Sequence, residues 1–110
     1  MLNKKAQQIK AEFKKNEAVC GRVLGFFHLI AHKPRFRMVC LLCQGEFCVN
    51  EIAEVVDGGN LSNISQQLKM LTMGGLIIKR RDQQRILYTV GDERVRHLVE
   101  YLRAEFLNQA

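Results

Sequence analysis

Residues 60–90 read NLSNISQQLKMLTMGGLIIKRRDQQRILYTV, and the fold turns on the change of rhythm inside them. Asn60 is a good N-cap, and Ile64, Leu68 and Leu71 then recur on one face of a helix. Gly74-Gly75 stops that helix where a left-handed cap is wanted. Beyond it the period drops to two. Leu76 and Ile78, then Ile86, Tyr88 and Val90, alternate with Ile77, Lys79, Leu87 and Thr89 around a polar tip of Arg81-Asp82-Gln83-Gln84. This pattern is that of a two-stranded hairpin with a charged loop.

Working back from Asn60, Val49, Ile52, Ala53 and Val56 stand at i, i+3, i+4 and i+7, a compact amphipathic helix ended by Asp57-Gly58-Gly59. Gln44-Gly45-Glu46 is a turn before it. Lys33-Pro34 opens an earlier helix whose apolar face is Phe36, Val39, Cys40 and Cys43. From about residue 3 to 32, Ile9, Phe13, Cys20, Val23, Phe27 and Ile30 form one stripe, which predicts a single long first helix. Gly21 and Gly25 lie inside it, as points of close packing or as a break. Asp92 caps a last helix, about 92–108, with Val95, Leu98, Val99, Leu102 and Phe106 on one side. The order helix, helix, helix, helix, hairpin, helix is that of a winged helix-turn-helix, mainly α with a small β-hairpin. Residues 1–110 are expected to form one such domain. The first and last helices carry apolar stripes with no further element to cover them, and a symmetric dimer would bury both.

Composition narrows the function. The chain has 110 residues, enough for one domain. Its 17 Lys and Arg against 11 Asp and Glu give a net charge of +6, so polyanions, meaning nucleic acid or an anionic membrane surface, are the expected partners. The strongly apolar stretch from Val23 to Ala31 is broken by His28 and is far short of the ~20 residues a membrane span needs. No secretory signal opens the chain, so the expectation is a cytoplasmic protein with reduced thiols. No nucleophile-base-acid set, glycine-rich phosphate loop or paired carboxylates suggests catalysis.

Two groups of residues favour double-stranded DNA among these. Ser62, Asn63, Ser65, Gln66, Gln67 and Lys69 cluster in the helix that starts near Leu61, away from Ile64, Leu68 and Leu71. A helix N-terminus offers free amides and partial positive charge, and Gln or Asn bonds adenine bidentately. Lys79, Arg80, Arg81 and Arg85 flank the hairpin tip and suit backbone phosphates. Lys33, Arg35 and Arg37 form a second basic group, whose other reading is an ordinary charged surface. The lysines at 4, 5, 10, 14 and 15 are read as solubilising charge. A winged-helix module that meets an acidic protein partner is the alternative from a different class.

Several segments together resemble the ArsR/SmtB family of bacterial dimeric repressors, over about residues 24 to 106. Ala31-His32-Lys33-Pro34-Arg35-Phe36-Arg37-Met38-Val39 is similar to the family's entry into its second helix. Gly45-Glu46-Phe47-Cys48-Val49-Asn50-Glu51-Ile52-Ala53 resembles the start of the third, and Ile64-Ser65-Gln66-Gln67-Leu68-Lys69-Met70-Leu71 the recognition helix. Gly75-Leu76-Ile77, Arg80-Arg81-Asp82 and Tyr88 match the family's wing. Two features depart from it: Asp57-Gly58-Gly59 inserts a residue into the turn, and Gln67 replaces the usual His. The resemblance implies a homodimer that represses from an imperfect palindrome and is released by a chemical signal.

Four cysteines raise the question of that signal. Cys40-x2-Cys43-x4-Cys48, with Cys20 as a fourth, has the spacing of a thiolate cluster, yet Cys40 and Cys43 fall on the apolar side of their helix, where Cys acts as a small hydrophobe. Compared with metal-sensing relatives, Cys48 is matched by Asn50 where a second Cys is expected, and only His97-x-x-Glu100 resembles the zinc pattern of the last helix. No metal is therefore assigned, and a thiophilic metal at the cysteines stays as a lesser reading. Cys40 stands where thiol- and persulfide-sensing relatives carry a Cys, but the matching partner position is about Leu107. A thiol switch through Cys40 with Cys20 or Cys43, a thiophilic metal site, and purely structural cysteines all remain open. His28, His32 and His97 are isolated and read as structural or surface residues.

Overall fold

A computed structural model describes residues 2–57 and 59–107. Its elements are α1 (Lys4–Lys15), α2 (Glu17–Ile30), α3 (Lys33–Leu42), α4 (Val49–Val56), α5 (Leu61–Met73), β1 (Ile77–Asp82), β2 (Arg85–Val90) and α6 (Glu93–Leu102). A π-helical turn, Arg103–Leu107, prolongs α6. This is the winged helix-turn-helix expected from the sequence.

The helix ends follow from local chemistry. Asn3, Asn60 and Asp92 cap α1, α5 and α6, each accepting from a backbone amide. At α4 the cap residue is Cys48, whose amide donates to Glu51 Oε1 at 2.9 Å. Pro34 lies in the first turn of α3, where its missing amide costs no helical bond. Helix α5 stops in a Schellman motif. Leu76 N–H bonds Leu71 O and Gly75 N–H bonds Thr72 O, both at 3.1 Å, with Gly75 at φ +81°. The left-handed position is thus Gly75, while Gly74 stays right-handed.

Two expectations about the outer helices are corrected. The single first helix over 3–32 is two helices, broken at Asn16 (φ −104°, ψ 23°) and ending at Ile30. Asn favours non-helical backbone, and the glycines at 21 and 25 stay inside α2. Asn16 N–H still bonds Glu12 O, and Cys20 N–H bonds Asn16 O, so the chain passes through the break with hydrogen bonds on both sides. The last helix, expected over 92–108, is α-helical only to Leu102; residue 108 lies outside the described residues, as does Gly58 of the inserted turn.

The core joins α3, α4 and α5 to the hairpin and α6. Met38, Val39, Leu42, Ile52, Ile64, Leu68, Leu71 and Val99 are fully buried, with Ile77, Val90 and Val95 beside them. β1 and β2 pair antiparallel from Ile77↔Val90 to Asp82↔Arg85, joined through Gln83-Gln84, with Gln83 at φ +58°. Phe47 adds a one-residue bridge to Tyr88. Thr89 Oγ1 donates to Leu42 O at 3.1 Å, pinning β2 to the end of α3. Arg96 ties α6 down, donating from Nη1 to Cys43 O and from Nη2 to Val90 O.

Candidate nucleic-acid interface

The buried stripe of α5 fixes which of its polar residues face out. Ile64, Leu68 and Leu71 lie against the core, so Ser62, Ser65, Gln66 and Lys69 share the opposite face, and all four are exposed. Their spacing of i, i+3, i+4 and i+7 makes one continuous polar ridge along the helix. Asn63 and Gln67 are half-buried on the flank instead.

Gln67 is engaged from within. Its Oε1 accepts from Arg35 Nη1 at 2.7 Å, and its Nε2 donates to Asn63 Oδ1 at 3.3 Å. By sequence Arg35 belongs with Lys33 and Arg37 in a basic surface group, yet it is only 8% exposed. Its Nε donates to Leu29 O at 2.6 Å, and its backbone amide to His32 Nδ1 at 3.4 Å. Lys33 and Arg37 remain exposed. Nothing in the local pattern signals this link, because Arg35 and Gln67 are 32 positions apart.

The hairpin presents its cations on two faces. By the strand register Lys79 and Arg81 stand beside Tyr88 and Ile86, while Arg80 and Asp82 stand beside Leu87 and Arg85. Lys79, Arg80, Arg81 and Arg85 are all exposed. Arg80 is bound to Glu46 in the turn before α4, and Arg85 lies 3.8 Å from Asp82. Arg81 Nε donates to Gln83 O at 3.3 Å. Glu46 thus belongs to the wing's electrostatics, a role that sequence reasoning missed.

The four cysteines are free thiols in three environments. Cys20 is exposed on α2, Cys40 is half-buried in α3, Cys43 is buried at the end of α3, and Cys48 is half-buried at the start of α4. Burial pushes the Cys40 thiol above its ordinary value, opposed by Arg103. Cys43 is pushed up to about 11, again by burial, with Arg96 opposing. A raised pKa is the reverse of what a reactive thiolate needs. The cation near Cys40 is Arg103 of the π turn, since Arg35 turns toward α5. Asp92 is occupied by Arg94, Nη2 to Oδ2 at 2.8 Å, and His97 is exposed. Among the described residues no three His, Cys, Asp or Glu side chains gather as a metal site. None of the described helices is long and apolar enough to cross a membrane.

A groove of about 610 Å³ runs between α2, the end of α5 and the start of α6, lined by Val19, Val23, Phe26, Leu29, Gly74, Leu76, Val95 and Leu98, with Arg22, Asp92 and Arg94 among its polar residues. Val23 and Phe27 of α2 are about half exposed, and Leu24, Tyr101 and Phe106 more so.

Residues 32–79 match the model of the bacterial regulatory proteins of the arsR family. The biofilm growth-associated repressor of Agrobacterium fabrum is 35% identical over 77 residues, which are 70% of this chain and 65% of that protein, just under two thirds of its length. The protein of the same name from Xylella fastidiosa is 30% identical over 93 residues, 84% of this chain and 81% of its own. Among solved structures, reduced HlyU from Vibrio cholerae is similar with a TM-score of 0.76 at 26% identity, over 86% of this chain and 96% of that one. The homodimeric winged helix-turn-helix DNA-binding domain from Mycobacterium bovis gives a TM-score of 0.73 at 31% identity, over 83% of each chain.

Proposed function

This chain belongs to the ArsR family of bacterial regulatory proteins, DNA-binding and not enzymatic, and from that premise we propose that it represses transcription as a homodimer on an imperfectly palindromic operator. The observation that carries the reading is the outward ridge of Ser62, Ser65, Gln66 and Lys69 on a helix that starts shortly after α4 and precedes a cationic hairpin. Ser and Gln are suited to base edges, and Lys to phosphate. Lys79 and Arg81 extend the cationic surface along one face of the wing.

The exposed apolar residues of α2, with Tyr101 and Phe106, support dimerisation through the outer helices. The homodimeric relative from Mycobacterium bovis supports it independently. The two-fold would set the recognition helices into successive major grooves about 34–36 Å apart. As to release, burial of Cys40 and Cys43 favours structural thiols in α3 over a thiolate switch there, and leaves Cys20 as the accessible one.

The test is fluorescence anisotropy with the duplex upstream of the protein's own gene, against a random duplex at the same salt. The reduced protein is compared with protein treated with disulfide or persulfide donors, or with As(III), Cd(II) or Zn(II). Preference for the promoter duplex is expected, and nuclease footprinting of it should show protection in two half-sites one helical turn apart. Equal binding to both duplexes would leave the protein-interaction reading in its place. Reversible loss after one treatment would restore a cysteine-based signal.

A further inference from the structure

We propose that Arg35 is a positioning residue, which holds the recognition helix to the end of α2 through Gln67, so that Gln67 acts as a strut and not as a reader of bases. The proposal rests on the DNA-binding reading above and assigns within it which residues of α5 discriminate sequence and which orient the helix.

The chemistry of the site is that of a buried cation satisfied by neutral acceptors. A guanidinium removed from water is costly unless its donors are hydrogen-bonded. Arg35 has Nε on the Leu29 carbonyl at 2.6 Å and Nη1 on Gln67 Oε1 at 2.7 Å, with Met70 Sδ 3.8 Å from the same nitrogen. None of the ion pairs among the described residues involves Arg35. The planar fork fixes direction as well as distance, so one side chain joins the last turn of α2 to the middle of α5.

Leu29 makes a second connection between the same helices. A Cβ on Gly74, at the end of α5, would fall 2.3 Å from Leu29 Cδ1, so the side chain closes on that glycine. The carbonyl of Leu29 reaches α5 through Arg35, and its side chain reaches the α5 C-cap directly. Two contacts about two turns apart, at Gln67 and Gly74, determine tilt as well as position. A shift of α2 therefore carries α5 with it, whereas a lone contact would leave the helix free to pivot. Occupied in this way, Gln67 has its carbonyl oxygen committed inward. Base discrimination falls to Ser62, Ser65 and Gln66 on the outer ridge.

Gln67→Glu and Gln67→Met separate the strut from the reader. A carboxylate accepts from Arg35 as well as the amide does; it gives up the donor to Asn63, as Met also does, has no donor for a base and repels phosphate. Met fills the volume and cannot replace the acceptor. On the promoter duplex, at fixed salt and the same temperature, Gln67→Glu is expected to bind within about threefold of the native chain. Gln67→Met is expected to bind about tenfold more weakly there, because a helix no longer held must be oriented on binding, with random-duplex binding unchanged. Loss in Gln67→Glu on the promoter duplex, taken relative to its own loss on the random duplex, equal to or larger than in Gln67→Met would make Gln67 a base reader and overturn the proposal. So would native affinity in Gln67→Met. Hydrogen exchange of the free proteins provides a readout independent of DNA. Amides of residues 61–73 should exchange faster in Gln67→Met and not in Gln67→Glu, and equal exchange in both would sink the strut. If the native chain does not discriminate between duplexes, the DNA reading fails by itself and hydrogen exchange alone decides on Arg35.

Discussion

Arg80 grips both carboxylate oxygens of Glu46, Nε to Oε2 at 2.5 Å and Nη2 to Oε1 at 2.8 Å, and so binds the wing to the turn before α4. The pairing holds the Glu46 carboxyl below the usual carboxylate range. A carboxylate seated on a wing cation competes with any phosphate for it. Glu46→Gln should release Arg80 and strengthen binding to random duplex. The slope of log K against log salt should steepen by about 0.9, the increment for one further neutralised phosphate. An unchanged slope would mean that Arg80 never reaches DNA, and that the pair serves only to orient the hairpin.

Asp92 offers a test by pH. Its hydrogen bonds from the Arg94 side chain and backbone lower its pKa to about 2. A carboxyl whose folded-state pKa lies below its unfolded value of about 3.9 stabilises the fold above that value. The contribution fades as pH falls toward about 2. Asp92→Asn keeps an oxygen to cap α6 but removes the charge. Urea midpoints of the two proteins should therefore differ near neutral pH and converge in strong acid. A difference that persists unchanged in acid would show that the cap geometry matters and the charge does not.

The thiols should react in the order of their environments. Alkylation requires the thiolate, and Cys43 is both buried and pushed up to about 11. With iodoacetamide just above neutral pH, peptide mass spectrometry should find Cys20 modified first and Cys43 last. The Cys43 rate should still be climbing above about pH 9, where a thiol of ordinary pKa, about 8.5, has begun to level off. Rapid labelling of Cys43 at neutral pH would contradict its burial and reopen α3 as a sensing element.

What the sequence made legible is what depends on local spacing. The stop at Gly74-Gly75, the caps at Asn60 and Asp92, and the switch from a helical period to alternation all lie within a few residues of their causes. The contacts that organise the interface do not. Arg35 meets Gln67 across 32 positions, and Arg80 meets Glu46 across 34, so both arginines read as solvent-facing cations. The break at Asn16 is hidden for a different reason: Phe13 and Cys20 are seven apart, and the stripe runs through the interruption in phase. The end of α6 is hidden likewise, since the apolar spacing up to Phe106 does not distinguish a π turn from an α turn.

The glycines of α2 supply the last prediction. Gly21 and Gly25 lie within the helix, and a Cβ at either would meet nothing within 4 Å in the described chain. In a helix interior Gly costs about 0.8–1.0 kcal/mol relative to Ala, through the freedom it loses on folding. Gly21→Ala and Gly25→Ala should each stabilise the isolated fold by about that amount, and together by about twice it if the sites act independently. Denaturation at several protein concentrations measures this, because a dimer contribution grows with concentration and a helix-propensity contribution does not. Gain at every concentration is the expected result. Gain at low concentration turning to loss at high concentration would mean that a second chain approaches α2 at these glycines, which would place the dimer contact on that side of the helix.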